Sequence, residues 1–243
     1  AKMLSGEINT TLGGRFLTSE VYPYSFREYV NVHRLSISEN DILSTEERAA
    51  AVRCFNEYLH DGGLPASALM PAKRNYLSSV FQKIYLGDII ARNNISNIAG
   101  IRILIRKIAE SVCRPISFNR INNLLSSVGG KLSLSTTIKY VEYCEDAWLL
   151  LRLRNYVSCL ADKESNCKYY FIDNGILNLF LIDKDTMLLE NLVALQLFRL
   201  YGHDANNERV YFYNDGYEVD FYVPEEELAI QVCYSLRDEE TVN

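Results

Sequence analysis

Apolar residues recur every three or four positions over much of the chain, which is the spacing of helices with one buried face. This pattern predicts helices over residues 26–30, 45–60, 72–88, 89–92, 98–112, 118–127, 136–147 and 188–200. The clearest buried face belongs to residues 98–112 and consists of Ile101, Leu104, Ile105, Ile108 and Val112. In residues 45–60 the predicted buried residues are Ala51, Val52, Phe55 and Leu59.

Polar residues mark the ends of these helices. Thr45, Ser117 and Ser135 each stand where a hydroxyl can accept a hydrogen bond from the first helical turn, so we expect them to be N-caps. The sequence 61-DGGLP-65 ends one helix, because glycine and proline interrupt the helical hydrogen-bond pattern. Gly129 and Gly130 end another helix in the same way.

Runs rich in β-branched and aromatic residues predict strands at residues 16–22, 148–157, 168–172, 209–213, 217–223 and 228–234. Two of these runs are separated by Asn214, Asp215 and Gly216, residues that accept the positive φ angles of a tight turn. We therefore expect a β-hairpin there. Helices early in the chain and strands with a covering helix late in the chain indicate a mixed α/β fold.

Charge is distributed unevenly along the 243 residues, whose formal net charge is −6. Residues 98–160 hold nine Lys or Arg against four Asp or Glu, whereas residues 183–243 hold four against fourteen. A nucleic acid would therefore be attracted to the middle of the chain and repelled by its last part. The alternative is that both sets of charges only keep the protein surface solvated.

The composition favours a cytoplasmic protein. With 48% hydrophobic residues the chain can bury a core, and no apolar run reaches the ~20 residues of a membrane-spanning helix. The first residues do not form a secretory signal pattern. The six cysteines lie apart without metal-ligand spacing, as expected for free thiols in a reducing compartment. We therefore expect neither a membrane partner nor a bound metal.

Residues 98–172 contain three predicted helices followed by two strands, which is the order of a winged helix, a variant of the helix-turn-helix. The third helix would then lie in the major groove of duplex DNA, and nearby basic residues would contact phosphates. The predicted nucleic-acid-binding residues are Arg106, Lys107, Arg120, Lys131, Ser135, Thr136, Thr137, Lys139 and Tyr140. A module that only contacts other proteins is the alternative, because small helical modules serve both purposes.

Polar residues interrupt three apolar runs in the last part of the chain, at Glu190, Asp220 and Gln231. The two strands are consecutive and the helix must cover their sheet, so we expect these side chains to lie close together. A metal-dependent nuclease needs converging acids for Mg²⁺ and a lysine to stabilise the attacked phosphate. Position 233 holds cysteine instead, and Lys168 and Lys184 lie far away in the sequence. We therefore predict a degenerate, inactive nuclease-like site, with an active nuclease as the alternative.

Several separate stretches resemble a widespread prokaryotic family of predicted AAA+ superfamily ATPases, whose ATPase domain is followed by a C-terminal domain of unknown function. The stretches are AKMLSGEI, EVYPYSFREYV, DGGLP, KYYFIDNGILNLFL, LLENLVALQL, YEVDFYV and IQVCYSLRDEET, which together extend over essentially the whole chain. The resemblance implies that residues 1–35 are a remnant of the AAA+ domain and that residues 36–97 form a helical lid or linker. It also implies a small, restriction-endonuclease-like α/β domain over 173–243, after the winged-helix module that the element order predicts over 98–172.

The resemblance also implies that the full-length parent binds ATP and Mg²⁺. The phosphate-binding signature G-x-x-x-x-G-K-[ST] occurs nowhere in this chain, so by itself we expect it to hold no cofactor and to hydrolyse no ATP. Arg15 matches an arginine of the family that either senses phosphate or anchors its turn. Relatives of this class often form rings, which implies a homo-oligomer assembled through the ATPase domain. We therefore expect the C-terminal portion of a cytoplasmic AAA+-type ATPase that binds or remodels duplex DNA.

Overall fold

The structure, a computed structural model, describes residues 19–35, 44–128, 132–157, 159, 163, 165–182, 184–203 and 208–234. Its helices are α1 (Phe26–Val32), α2 (Thr45–Asp61), α3 (Lys73–Lys83), α4 (Ile98–Glu110), α5 (Phe118–Val128), α6 (Leu134–Asp146), α7 (Asn174–Leu177) and α8 (Asp185–Tyr201). Its strands are β1 (Ile116–Ser117), β2 (Leu150–Leu153), β3 (Asn166–Phe171), β4 (Tyr211–Asn214), β5 (Glu218–Val223) and β6 (Leu228–Ile230). The fold is therefore mixed α/β, as the sequence predicts.

Two helices are capped by a different hydroxyl than predicted, and α6 also begins two residues earlier than predicted. Ser44, not Thr45, caps α2: the backbone N–H of Ser44 donates to the Glu47 carboxylate at 2.8 Å, while its hydroxyl accepts from the Glu47 N–H. This capping box needs an acid three residues after the cap, and Ser44 has one whereas Thr45 does not. Ser133, not Ser135, caps α6, since its hydroxyl accepts from the backbone N–H of Thr136 at 3.1 Å.

The buried face of α2 also differs from the prediction. Cys54, Tyr58 and Leu59 are buried, whereas Val52 is 53% exposed. The reason is α1, which places the ring of Tyr29 only 5.2 Å from that of Tyr58 and so turns this side of α2 inward. The apolar residues of α2 cover more than one face, so their spacing alone does not select the buried one.

Three further predictions differ from the structure within the described residues. The predicted strand 16–22 is represented by residues 19–22, which are not a strand. The two helices predicted over 72–88 and 89–92 are continuous, because α3 is followed directly by a π-helix over Ile84–Ala91. The strand predicted over 228–234 is shorter than expected and contains only Leu228–Ile230.

The first sheet is antiparallel with the strand order β1-β3-β2. Its central strand, β3, is buried from Cys167 to Phe171, and its pairing with β2 places Leu153 opposite Lys168. Helices α5 and α6 pack against one another, and the Thr137 hydroxyl donates to the Asn122 side chain at 2.9 Å to fix that packing. The chain order through this region is therefore α4, β1, α5, α6, β2, β3.

The second sheet is antiparallel with the order β4-β5-β6, and its first two strands form the predicted hairpin. Gly216 in the turn has a φ of +83°, the left-handed backbone that glycine adopts without strain. The end of β2 joins this sheet to the first one. Tyr156 N–H donates to the Phe212 carbonyl at 2.8 Å, and the Asn155 side chain bonds both backbone groups of Asn214. The two sheets are thus linked by backbone-type hydrogen bonds.

A buried polar contact joins the sequence 61-DGGLP-65 to the sequence 173-DNG-175. The Asp173 carboxylate accepts from the Gly63 N–H at 2.8 Å and from the Ile176 N–H at 3.2 Å. Any β-carbon at Gly62 would overlap this carboxylate, and one at Gly175 would overlap the Asp61 carbonyl oxygen. The two segments can therefore approach this closely only because glycine stands at both positions.

Asparagine side chains complete the same contact. Asn174 donates to the carbonyls of Leu59 at 2.9 Å and Leu188 at 2.8 Å, and Asn178 donates to the carbonyl of His60 at 3.0 Å. The carbonyls of Leu59 and His60 belong to the last turn of α2, where a helix has no partners of its own for them. Residues 173–178 therefore satisfy the C-terminal end of α2 and tie it to α8.

Buried apolar residues from Leu59 to Val223 form one continuous cluster, so α2 to α8 and the two sheets share a core. A smaller cluster lies between α1 and α2. Over the ranges described, no helix combines the length and the apolar character that crossing a membrane requires.

We expect Gly175→Ala to lower the free energy of unfolding by at least about 2 kcal/mol, because its methyl group would meet backbone that cannot move aside. Gly87→Ala is the matched control: nothing lies within 4 Å of its added β-carbon, and alanine is the better helix former by about 1 kcal/mol. Urea unfolding of the two variants measures the difference. Equal effects of the two substitutions would contradict the close approach at Gly175.

Burial raises the pKa of Asp173 to about 6 from its ordinary 3.8, although backbone N–H groups of Gly63, Ile176, Gly175 and Leu64 act in the opposite direction. The folded protein then binds this proton more tightly than the unfolded chain does. The contribution of Asp173 to stability is thus fully present below pH 4 and decreases by about 3 kcal/mol as the pH rises past 6. A carbon-13 NMR titration of this carboxyl group should show its midpoint near pH 6; a midpoint below 4 would refute the expectation.

Candidate functional site

The ammonium group of Lys168 lies inside a cluster of three carboxylates. Its Nζ atom is 2.9 Å from Glu218 Oε1, 3.2 Å from Asp220 Oδ1 and 3.6 Å from Glu190 Oε1. The lysine side chain has no solvent exposure, and Glu190 and Asp220 are also buried, whereas the side chain of Glu218 is 44% exposed. We call these four residues the Lys168 cluster.

The regular alternation of β3 places Lys168 in this cluster. Side chains two residues apart on a strand point to the same face, so Lys168 and Tyr170 share a face of β3. The Tyr170 hydroxyl donates to Glu190 Oε1 at 2.8 Å, and the Lys168 ammonium also lies 5.5 Å from the centre of the Phe212 ring. The ammonium of Lys168 and the hydroxyl of Tyr170 therefore both point toward helix α8 and the second sheet.

The amide side chain of Asn191 holds α8 against β3. Its Oδ1 accepts from the Phe171 N–H at 2.8 Å, and its Nδ2 donates to the Phe171 carbonyl at 2.9 Å, as a neighbouring strand would. Glu190 and Asn191 are adjacent in α8 and both are buried. Fixing Asn191 on β3 therefore also fixes Glu190 beside Lys168.

A β-bulge in the hairpin directs Asp220 into the cluster. Tyr211 pairs with Tyr222 and Tyr213 pairs with Val219, so that Asp220 and Phe221 on β5 together oppose Phe212 on β4. Two residues opposite one is the arrangement of a bulge, which re-aims side chains locally. Asp220 and Phe221 are consequently both buried although they are neighbours in a strand.

Opposing effects set the protonation states of this cluster. Burial favours the neutral amine of Lys168, but attraction by Glu190, Glu218 and Asp220 is stronger and raises the pKa of Lys168 above its ordinary value. Burial raises the pKa of Glu190, an effect that the nearby ammonium opposes and the Asp220 charge reinforces. Lys168 is therefore a cation at neutral pH, and its charge compensates the two buried acids.

The structure brings together the acids that the sequence analysis selected. Glu190 and Asp220 contact the same ammonium, and the Asp220 N–H lies 3.4 Å from Gln231 Oε1. Gln231 is exposed and points its amide oxygen at backbone, while the Val232 N–H donates to Asp220 Oδ2 at 2.9 Å. Lys168 lies far from these acids along the chain, and the pairing of β3 brings it among them.

Sequence reasoning missed Lys168 and Glu218 as members of the cluster. One signal for Lys168 was present: a lysine begins the run 168-KYYFI-172, which is otherwise apolar or aromatic. A lysine inside a central strand has to meet carboxylates, because an unpaired buried charge is strongly unfavourable. Glu218 has no such signal, since it stands beside a turn where acids are common.

The three carboxylates of the cluster surround a buried ammonium group. All three carboxylates are directed at an ammonium group, and the described residues contain no group of three or more His, Cys, Asp or Glu arranged to hold a metal ion. A nuclease lysine must reach the attacked phosphate, whereas Lys168 is buried among acids. Within the described residues, the cluster is best explained as an internal ion-pair network.

The residues selected for DNA contact are divided by the structure into exposed and buried ones. Arg106, Arg120, Ser135 and Lys139 are exposed, Thr136 is half-buried, and Lys107 is half-buried with its ammonium 3.8 Å from Glu110. Arg15 and Lys131 lie outside the described residues.

Thr137 and Tyr140 cannot contact DNA as the sequence analysis expected, because both are buried in the core beneath α6. With the cap at Ser133, these two residues fall on the inner face of the helix together with Val141 and Cys144. The face that α6 leaves open contains Ser135 and Lys139, followed toward its end by Glu142.

The family model described as Domain of unknown function (DUF8612) matches residues 52–186, more than half of the chain. An uncharacterized protein of Methanocaldococcus jannaschii, MJ1544, is 34% identical over 244 residues, which cover 98% of this chain and 54% of that protein. An uncharacterized protein of Haemophilus influenzae is 28% identical over 244 residues, with coverages of 97% and 58%. The chain thus spans little more than half the length of these curated relatives. No solved structure matches it.

We expect Lys168→Met to lower the free energy of unfolding by about 3–5 kcal/mol, because it leaves Glu190 and Asp220 buried without a counter-charge. Adding Glu190→Gln to this variant should recover part of the loss, since it removes one of the stranded charges. Lys139→Met, on the exposed face of α6, is the matched control and should change stability by less than about 0.5 kcal/mol. Urea unfolding of the three variants tests this; a Lys168→Met protein as stable as the control would contradict it.

Proposed function

The chain belongs to the family described as Domain of unknown function (DUF8612), and we propose that it binds duplex DNA without cutting it. In this proposal it is the DNA-binding portion of a larger AAA+-type ATPase. ATP and Mg²⁺ would bind outside this chain, and the chain itself would respond to nucleotide only through the remainder of the protein.

One observation carries the proposal: the connectivity of residues 98–171. Their order is helix, strand, helix, helix, strand, strand, and the antiparallel sheet has its last strand in the middle, β1-β3-β2. This combination supports a winged helix, whose second and third helices form a helix-turn-helix. Here α5 and α6 would be those helices, and α6 would enter the major groove.

The surface charge of the same region supports an anionic partner. Arg102 and Arg106 are exposed on α4, Arg120 on α5 and Lys139 on α6. Residues 98–160 have an excess of basic residues, whereas the last part of the chain is acidic. Basic side chains favour DNA because contacts with phosphate release bound counter-ions, an effect that weakens as salt is added.

The loop after β2 constrains how this module would meet DNA. Its first residues are bonded to the second sheet, where the Phe212 N–H donates to the Arg154 carbonyl at 3.0 Å and the Asn155 amide bonds Asn214. A winged helix often lays this loop along the DNA backbone. In this chain residues 154–156 are occupied by the second sheet, so helix α6 would make the principal contact.

The Lys168 cluster favours binding over cleavage. A nuclease of the restriction-endonuclease class would need Mg²⁺ among Glu190, Asp220 and a third acid, and the ammonium of Lys168 already lies at that place. A metal ion there would meet a fixed positive charge within a few ångströms. The region 173–243 is therefore proposed to be an inactive relative of such enzymes, kept for its fold.

In this proposal, DNA binding by this chain serves the activity of a larger parent protein. The relatives from Methanocaldococcus jannaschii and Haemophilus influenzae extend well beyond the aligned segment, which covers 54% and 58% of them. The resemblance to predicted AAA+ ATPases supports a nucleotide-binding domain in such an additional segment. Assembly into a homo-oligomer and remodelling of bound DNA would then be activities of the whole protein.

We expect the double variant Arg120→Glu, Lys139→Glu to lose at least tenfold in affinity for a 20-base-pair duplex at low salt, because two phosphate contacts become repulsions. The slope of log affinity against log salt should become shallower by about one unit for each contact removed. Fluorescence anisotropy with a labelled duplex measures both quantities.

The control is Lys83→Glu, an exposed lysine at the end of α3 that lies outside the proposed module. It changes the net charge of the protein in the same direction, so general electrostatic repulsion would affect it as well. If the control loses as much affinity per charge as the double variant, the proposal is wrong. It is also wrong if the unmodified protein binds no DNA at any salt concentration.

A further inference from the structure

Five tyrosines lie together on the outer side of the second sheet. They are Tyr211 and Tyr213 on β4, Tyr222 on β5, Tyr217 in the turn and Tyr156 after β2. We call them the tyrosine face. Their rings form a connected set, with centroids 5.5 Å apart for Tyr156 and Tyr211, 5.0 Å for Tyr156 and Tyr222, 6.2 Å for Tyr213 and Tyr222, and 5.1 Å for Tyr213 and Tyr217.

The pleat of the hairpin separates the tyrosine face from the Lys168 cluster. Glu218 and Asp220 reach Lys168 on the inner side, and Phe212 and Val223 are buried on that side too. Tyr211, Tyr213 and Tyr222 occupy the alternate positions, which point outward. The tyrosine face is therefore distinct from the candidate site described above.

The rings are only partly buried by the rest of the protein. Tyr217 is 64% exposed and Tyr156 is 41% exposed, while the other three are half-buried against their neighbours. Tyrosine combines a large apolar ring with a hydroxyl and loses little conformational entropy when bound, which is why it is enriched where proteins bind one another. A connected set of five such rings is thus more than scattered surface residues.

The tyrosine face already holds one cation from this chain. The ammonium of Lys163 lies 5.9 Å from the ring centre of Tyr156 and 5.7 Å from that of Tyr211. At these distances the negative faces of aromatic rings attract a positive charge. Among the described residues, no lysine or arginine lies over the rings of Tyr213, Tyr217 or Tyr222.

Acidic residues lie at both ends of the hairpin that carries the tyrosine face. Asp215 stands in the turn of the hairpin, and Glu225, Glu226 and Glu227 follow Pro224 at the end of β5, all four of them exposed. Arg209 approaches one of them, with its Nε atom 3.6 Å from Glu225. The local field therefore attracts cations and repels phosphates.

From these observations we propose that the tyrosine face binds an arginine-rich segment of a partner protein. A guanidinium group is planar, stacks on tyrosine rings and donates paired hydrogen bonds to carboxylates, so arginine fits aromatic rings bordered by acids better than lysine does. Single-stranded nucleic acid also stacks on aromatic faces, but its phosphates would meet four acids here. The surface is independent of the proposed DNA contact, which uses α6.

The experiment uses a fluorescein-labelled twelve-residue peptide of alternating arginine and glycine as its probe. A matched peptide carries citrulline in place of arginine, which keeps the shape and removes the charge, and a twelve-nucleotide oligo(dT) tests nucleic acid. Fluorescence anisotropy should show the arginine peptide binding at least tenfold more tightly than the citrulline peptide, with no binding of oligo(dT) at the tyrosine face.

Single substitutions then locate the binding site. Tyr217→Ala should weaken binding of the arginine peptide at least fivefold, whereas Tyr217→Phe, which keeps the ring, should preserve it. Tyr234→Ala removes a tyrosine of similar exposure that has no contact with the set, and it should have no effect. Tyr217 is largely exposed, so we expect its substitution to leave the fold intact.

A charge comparison separates the tyrosine face from general attraction to an acidic protein. Glu226→Gln with Glu227→Gln should weaken binding, whereas Glu142→Gln with Asp146→Asn, two exposed acids on α6, should not. Equal affinity for arginine and citrulline peptides, an unchanged affinity in Tyr217→Ala, or oligo(dT) binding that Tyr217→Ala abolishes would each overturn the proposal; the last would make the face a nucleic-acid platform.

Discussion

The docking of residues 61–65 on residues 173–175 is the constraint on which the remaining structure depends. The Asp173 carboxylate accepts hydrogen bonds from backbone N–H groups of both segments. The side chains of Asn174 and Asn178 donate hydrogen bonds to the carbonyls at the end of α2. Every one of these bonds is buried or partly buried, where an unpaired polar group is costly. Because β3 runs directly into Asp173, the same contact fixes the direction in which β3 enters the core. The position of Lys168, five residues earlier, follows from it.

A buried ion-pair network links helix α8 and the second sheet to β3. One lysine faces three carboxylates, and it is held by strand pairing, by the bulge in β5 and by the amide of Asn191 on α8. Such networks rarely add much stability compared with a well-packed apolar core, but they are strongly unfavourable when one partner is missing. The cluster thus favours this placement of α8 and the second sheet on β3, because moving either one away would separate Lys168 from a buried acid.

Local patterns allowed most of the helices, the hairpin and the buried face of α4 to be predicted from the sequence. The caps at Ser44 and Ser133 were missed because several neighbouring hydroxyls compete, and only the acid at Glu47 distinguishes Ser44 from Thr45. The order of the helix and strands along the chain was enough to predict that Glu190 and Asp220 lie close together. The position of Lys168 beside these acids could not be predicted in this way. It depends on the pairing of β3 with β1 and β2, which no local pattern specifies. The burial of Thr137 and Tyr140 depends likewise on the true start of α6.

The capping of α2 by distant residues has a consequence for how the chain is made. Asn174 and Asn178 lie 115 and 118 residues beyond the carbonyls of Leu59 and His60 that they satisfy. At ribosomal speeds of about 5–20 residues per second, that separation corresponds to roughly ten seconds between the synthesis of α2 and of its partners. During this interval the end of α2 and its glycine-containing loop have only water for partners, and the loop that must later close is long. The nascent chain therefore emerges with this helix unfinished, and a chaperone that shields Leu59 and its neighbours would act in that interval.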